Sequence, residues 1–233
     1  MGRAEALCGF RSKRISNADM AKRFNETLNG NISNDEITFT VNSTNVGGRE
    51  YAIHIGSLSK SEVDFIFNVC KELEIDPYMI LAIGLHESSF TAVNDDGTPY
   101  TYSSSAFGIM QTLPSTYSAY AANGIYYNKY SELYNKYNVN ISDTTSVKSQ
   151  LMVGMCIYAE FSSYSWGNDD TQVVNHIGEG SIIPENYTIL NGKIVYKNGA
   201  DWKLAPSTLE ILYYRDIIAE SYNSDTLYNS VYN

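Results

Sequence analysis

The feature that most constrains this chain is the run PYMILAIGLHES at residues 77–88. Asp76-Pro77 is a helix-start signal, with Asp as the cap and Pro filling the first turn. Met79, Ile80, Leu81, Ala82, Ile83 and Leu85 then put apolar groups on every side of the helix. A helix with no polar face has to be enclosed by other elements, so the chain must fold around this one. His86 and Glu87 stand at its far end. Burying a carboxylate is unfavourable unless it is paired or protonated. A Glu whose pKa rises for that reason can hold a proton near neutral pH and donate it. The stretch is therefore expected to mount a general acid, Glu87.

At 233 residues the chain can build one sizeable domain with a normal core. Its content of 43% hydrophobic and 18% charged residues describes a globular protein rather than a disordered one. No apolar run reaches the ~20 residues of a membrane span. The formal net charge of -10 argues against a nucleic-acid binder. It also disfavours long-range attraction to an anionic cell envelope. Met1-Gly2-Arg3-Ala4-Glu5 has no apolar leader, so no secretory signal is expected. Cys8, Cys70 and Cys156 are odd in number and lack a C-x-x-C spacing; Cys70 and Cys156 read as small buried hydrophobes. His86-Glu87 invites a zinc reading, but the metalloprotease pattern needs His three residues after Glu, where Phe90 stands. No metal and no cofactor are expected.

Taken in order, residues 1–35 read as a polar arm. The alternating runs at 37–41 and 51–55, around Asn45-Val46-Gly47-Gly48, predict a hairpin. Ser59-Lys60-Ser61-Glu62 has capping-box spacing and precedes a helix with Val63, Ile66, Phe67, Cys70 and Leu73 on one face. After Phe90, Asn94-Asp95-Asp96-Gly97 opens a turn-rich loop. Pro114 starts a short helix through Tyr120, residues 126–139 form a partly helical excursion, and Asp143-Thr144 is the expected cap of a helix through Phe161. Asp170-Thr171 is the expected start of another short helix. Residues 187–197 read as two strands about Asn191-Gly192, and Pro206-Ser207 begins a last helix.

Glu87-Ser88-Ser89-Phe90 and the run Ser105-Ala106-Phe107-Gly108-Ile109-Met110-Gln111-Thr112-Leu113-Pro114 resemble the lytic transglycosylase catalytic domain. That family writes E-S-x-F followed by G-A-x-G-L-M-Q-I-x-P and belongs to the lysozyme-like group. Ser105 stands at its first Gly and Ile109 at its Leu. Val174-Asn175-His176-Ile177-Gly178-Glu179-Gly180 is similar to the family's A-Y-N-x-G-x-G; matching the glycines sets Asn175 at its Tyr and His176 at its Asn, while matching Asn175 to its Asn requires a one-residue insertion. Glu210-Ile211-Leu212-Tyr213-Tyr214 is similar to its terminal E-T-R-x-Y-V.

The resemblance implies an α+β, predominantly α, lysozyme-like domain over residues 57–233, with an inserted hairpin near 187–197 and a polar arm and β-hairpin at 1–56. It implies cleavage of the bond between N-acetylmuramic acid and N-acetylglucosamine in peptidoglycan, with Glu87 catalytic. Ser105, Met110, Gln111, Asn175, His176 and Glu210 are then the expected substrate-binding set, with Glu210 either touching glycan or supporting groups that do. For Met110, ordinary core packing is an equal alternative. The expected setting is the bacterial cell wall, reached from a phage, a secretion machine, a lysed cell or a longer chain. Two alternatives stay open: a hydrolytic muramidase of goose type using Asp95 or Asp96, and a glycan-binding module without turnover.

Overall fold

The computed structural model describes residues 36–42, 53–102, 105–163, 187–190, 193–198, 201–203 and 206–223. The architecture below is that of the unit Asp35–Ile218, with the last helix given to its full extent; it is α+β with helices predominating. Strands β1 (Glu36–Asn42) and β2 (Ile53–Ser59) pair antiparallel, with Ile37 opposite Leu58 and Val41 opposite His54. Period-2 alternation turns Ile37, Phe39 and Val41 inward, and Gly56 and Leu58 are buried with them. The hairpin is the expected one, but β2 runs past Ile55 to Ser59.

Ser59 ends the strand and caps helix α1 (Lys60–Leu73). The Glu62 amide donates to Ser59 Oγ at 3.2 Å, and the Ser59 amide donates to Glu62 Oε2 at 2.7 Å. This is the reciprocal capping box expected from the spacing. Phe65 and Val69 are buried beside Val63, Ile66, Phe67 and Cys70. The apolar stripe is wider than one face because α1 packs on two later helices, Pro77–Ser88 and Val147–Ser162.

Helix α2 (Pro77–Ser88) is buried from Met79 through Leu85. Asp76 Oδ1 accepts the Tyr78 amide at 2.8 Å, while its Oδ2 accepts Arg215 Nε at 2.7 Å. One carboxylate thus caps the helix and ties it to the last helix of the fold. At the other end Ser89 and Phe90 both take positive φ, 52° and 62°. A bulky side chain in that region carries strain on the order of 1 kcal/mol. It is held there by a Phe90 amide bond to the Gly84 carbonyl at 3.1 Å. The Phe90 ring folds back over Gly84, where an added Cβ would lie 2.8 Å from it, and meets Phe39 at 5.2 Å.

Helices α3 (Pro114–Tyr120) and α4 (Tyr127–Lys136) follow, then α5 (Val147–Ser162). The expected cap at Asp143-Thr144 is corrected: α5 begins at Val147 with Ser146 as its N-cap. Asp143 Oδ1 instead accepts the Thr145 amide and hydroxyl at 3.0 and 2.7 Å, closing its own turn. Strands β3 (Tyr187–Leu190), β4 (Lys193–Asn198) and β5 (Asp201–Lys203) form an antiparallel sheet, the first two as expected around Asn191-Gly192. Helix α6 (Pro206–Asn223) buries Ile211 and Tyr214. The polar arm expected at residues 1–35 and the short helix expected from Asp170 lie outside the described residues. No described helix is long and apolar enough to cross a membrane.

The hairpin seats on the end of α2 only because Gly56 lacks a side chain. A Cβ there would stand 2.4 Å from the Ser89 carbonyl oxygen, a backbone atom held by the helix end. Gly56→Ala is expected to lower stability by about 1–3 kcal/mol in urea unfolding, as overpacking does. An unchanged midpoint would mean that the hairpin is not clamped on the helix.

Candidate active site

The final turn of α2 carries three side chains in three environments. Ser88 points inward; its hydroxyl donates to the Ile109 carbonyl at 2.9 Å and fixes the loop after α2 against the helix. Glu87 turns outward, its side chain 21% exposed. His86 lies between, 10% exposed, with Nδ1 3.3 Å from Glu87 Oε1 and Nε2 3.1 Å from Glu210 Oε2 of α6. Glu210 has no exposure at all. The ring is flanked by His54 of β2, parallel within 9° at 6.1 Å, and by Tyr214 of α6 at 5.7 Å. His54 and Tyr214 also meet each other, at 5.3 Å.

Burial by itself presses the His86 pKa down. The hydrogen bonds to Glu210 and Glu87, with the charges of both carboxylates, outweigh it and push the value up from 6.5 to about 9. The imidazolium is therefore the form present at neutral pH. It also lies in the last turn of α2, where the helix dipole favours a cation.

The loop facing this helix end is shaped by one buried amide. Gln150 of α5 is 3% exposed. Its Oε1 accepts the Ile109 amide at 2.9 Å, and its Nε2 donates to the carbonyls of Ala92 at 3.0 Å and Thr144 at 2.8 Å. Gly108, at φ 72°, lies against the same side chain, and a Cβ would fall 2.4 Å from Gln150 Oε1. The backbone then pairs Phe107 with Thr112 and turns sharply between them. A buried polar group of this kind holds its place only when its bonds are satisfied.

The expected site residues divide among several environments. Met110 is 6% exposed and packs on Gly154 of α5, where a Cβ would sit 2.5 Å from Met110 Cγ. Gln111 is half-buried; its Nε2 donates to the Gly108 carbonyl at 2.8 Å, so its amide braces the turn. Ser105 is exposed. Glu210 is brought to α2 through His86, although 124 residues of sequence separate them. Asn175 and His176 lie outside the described residues. Asp96 is exposed and bonded to Thr98, whose hydroxyl and amide donate to Oδ1 at 2.6 and 2.9 Å and hold its carboxyl below the usual range. Cys70 and Cys156 are free and buried, and burial raises both thiols, that of Cys156 to about 12.

Sequence reasoning missed His54, His86, Gln150 and Tyr214 as parts of this site. For Gln150 a signal was present, a lone amide among Leu151, Met152 and Val153 on an apolar helix. For the His86–Glu210 contact no local pattern could have shown it.

Among known families, residues 64–148 match the Transglycosylase SLT domain. No curated protein and no solved structure matches the chain. The matched segment runs from α1 into the first turn of α5 and includes Glu87, Ser105, Met110 and Gln111. The β1–β2 hairpin and α6, with His54, Glu210 and Tyr214, lie outside it. The segment is similar to a lytic transglycosylase catalytic domain, and the architecture is lysozyme-like. The likeness supports transglycosylase activity on peptidoglycan in general.

The raised pKa of His86 makes a stability prediction. A group with a higher folded than unfolded pKa stabilises fully below the unfolded value, and that contribution disappears as pH climbs through the folded one. Between 6.5 and about 9, at about 1.4 kcal/mol per unit, up to about 3 kcal/mol is at stake. Urea unfolding at pH 6 and pH 9.5 should show that loss in the parent protein and a flatter response in His86→Gln. Equal slopes in the two proteins would mean that His86 carries no extra proton when folded.

Proposed function

We propose that this chain is a peptidoglycan lytic transglycosylase that cleaves the β-1,4 bond between N-acetylmuramic acid and N-acetylglucosamine, leaving 1,6-anhydro-muramic ends. The observation that carries the reading is the position of Glu87. It is a partly exposed carboxylate at the end of an otherwise buried helix, inside the segment similar to the transglycosylase domain.

In this reading Glu87 acts twice. Its carboxylic acid first gives a proton to the bridging oxygen as the bond from muramic C1 to that oxygen breaks. The positive charge left at C1 is met by the carbonyl oxygen of the sugar's own N-acetyl group. The Glu87 carboxylate then takes the proton of the 6-hydroxyl as O6 bonds to C1. The proton count returns to its starting value, and no water is consumed. One side chain can do both steps because its acid form and its base form are needed in succession. Ser105 is exposed toward solvent and is assigned to the glycan-binding set, with Asn175 and His176. Met110 and Gln111 shape the loop that follows Ser105. Glu210, buried against His86, serves the site from behind.

A hydrolytic muramidase would need a second carboxylate to stabilise charge or activate water. Of the two candidates Asp95 and Asp96, Asp96 is occupied in closing the turn at Thr98, which makes it the weaker one. The formal net charge of -10 gives no long-range attraction to an anionic envelope. We therefore assign delivery to a phage or secretion machine that carries the enzyme to the wall.

The test is mass spectrometry of fragments released from purified peptidoglycan by the parent protein and by Glu87→Gln. Anhydro-ended fragments are expected from the first, with release reduced by about 10²-fold or more in the second, the usual weight of a general acid–base group. Reducing muramic ends would show that water is the acceptor and turn the assignment to Asp95 and Asp96. Binding to the wall without release by either protein would leave a glycan-binding module.

A further inference from the structure

We propose that His86 is a positioning residue for Glu87, a doubly protonated bridge through which the buried carboxylate of Glu210 sets the pH range of cleavage. The inference rests on Glu87 being the catalytic acid and adds to that reading how its charge is governed.

Geometry carries the proposal. Both ring nitrogens of His86 face carboxylate oxygens, Glu87 Oε1 at 3.3 Å and Glu210 Oε2 at 3.1 Å. An ionised carboxylate only accepts hydrogen bonds, and a neutral imidazole has a single N–H to give. A neutral ring between two ionised carboxylates would aim one lone pair at another. The imidazolium, donating from both nitrogens, satisfies all three groups, with Glu87 ionised or with its proton on Oε2. Glu210 has no exposure, so its charge needs a compensating cation close by. His86 provides one.

Among the described residues, the groups facing the His86 ring come from three elements: Glu87 on its own helix, Glu210 and Tyr214 on α6, and His54 on β2. His54 and Tyr214 pack on the ring and on each other, which limits its movement away from the two carboxylates. Glu87 is thereby held through its Oε1. Its Oε2 is the oxygen left for the proton that passes to glycan. Because Glu210 offsets the imidazolium, Glu87 works beside an ion pair rather than beside a bare cation.

Removing either partner should move the profile in opposite directions. In Glu210→Gln an uncompensated imidazolium stands beside Glu87, and the alkaline limb of the cleavage rate is expected to fall by about one pH unit. In His86→Gln the cation is gone while the buried carboxylate stays, and the limb is expected to rise by a similar amount. A merely structural role would lower the rate in both and leave the limbs where they were.

The experiment combines pH–rate profiles of fragment release for the three proteins with an NMR titration of histidine side chains in the parent chain and in Glu210→Gln. The chain has 3 histidines, so the His86→Gln spectrum identifies the resonance. The proposal expects the His86 resonance to titrate well above the ordinary imidazole range in the parent, and at least about one pH unit lower in Glu210→Gln. An ordinary titration in the parent protein overturns it, as do unmoved rate limbs. If Glu210→Gln fails to fold, the parent titration and the His86→Gln limb decide alone. A parent protein that releases no fragments at any pH would defeat the functional reading, while the NMR titration would still decide whether the bridge exists.

Discussion

A helix with no polar face must be covered on all sides, and the placement of every described element near the site follows from that requirement. Helix α2 is apolar from Met79 to Leu85. α1 covers it, and so does the seam at which Gly56 of the hairpin meets Ser89 and Phe90. The loop through Ile109 closes over its last turn, where Ser88 receives it. Only the helix ends carry polar groups, and both ends are tied to α6, by Asp76 to Arg215 and by His86 to Glu210. The burial that drives the fold thus also fixes where a functional carboxylate can emerge. It can emerge only at a helix end.

What was legible in the sequence was local. The capping box at Ser59, the Asp76-Pro77 start and the Asn191-Gly192 hairpin each rest on contacts within a few residues, and each formed as expected. So did the enclosure of α2, because an apolar pattern on all sides admits no other outcome. The start of α5 was misplaced because Asp143 and Ser146 are both good caps, and Asp143 satisfies its side chain on Thr145 instead. The Glu87-Ser88-Ser89-Phe90 motif was readable as a pattern but not as mechanics. The structure explains its spacing: Glu87 outward, Ser88 inward to Ile109, and Phe90 back over Gly84.

The rest of the site was illegible because it is built from pairs distant in the chain. His86 meets Glu210 across 124 residues, and Gln150 meets Ala92 across 58. Periodicity describes which face of an element is buried. It does not say which buried polar group will find which partner, and that is decided by tertiary packing alone. Glu210 was expected as either a glycan contact or a support. Its complete burial against His86 leaves it no solvent-facing surface.

Enzymes that cleave glycosidic bonds with two carboxylates place both beside the sugar, where their mutual repulsion helps keep one protonated. Here the second carboxylate stands behind an imidazole, one ring further from solvent. The arrangement sends charge, rather than a second reacting group, toward Glu87. It also divides the work between regions of the chain. The segment similar to the transglycosylase domain holds the carboxylate and the loop over it, while the ring's flanks and its buried counter-charge come from β2 and α6, outside that segment. If Glu87 cleaves glycan as proposed, a change in either outer element would retune the site without touching glycan, and tuning and bond cleavage would be carried by separate parts of the chain.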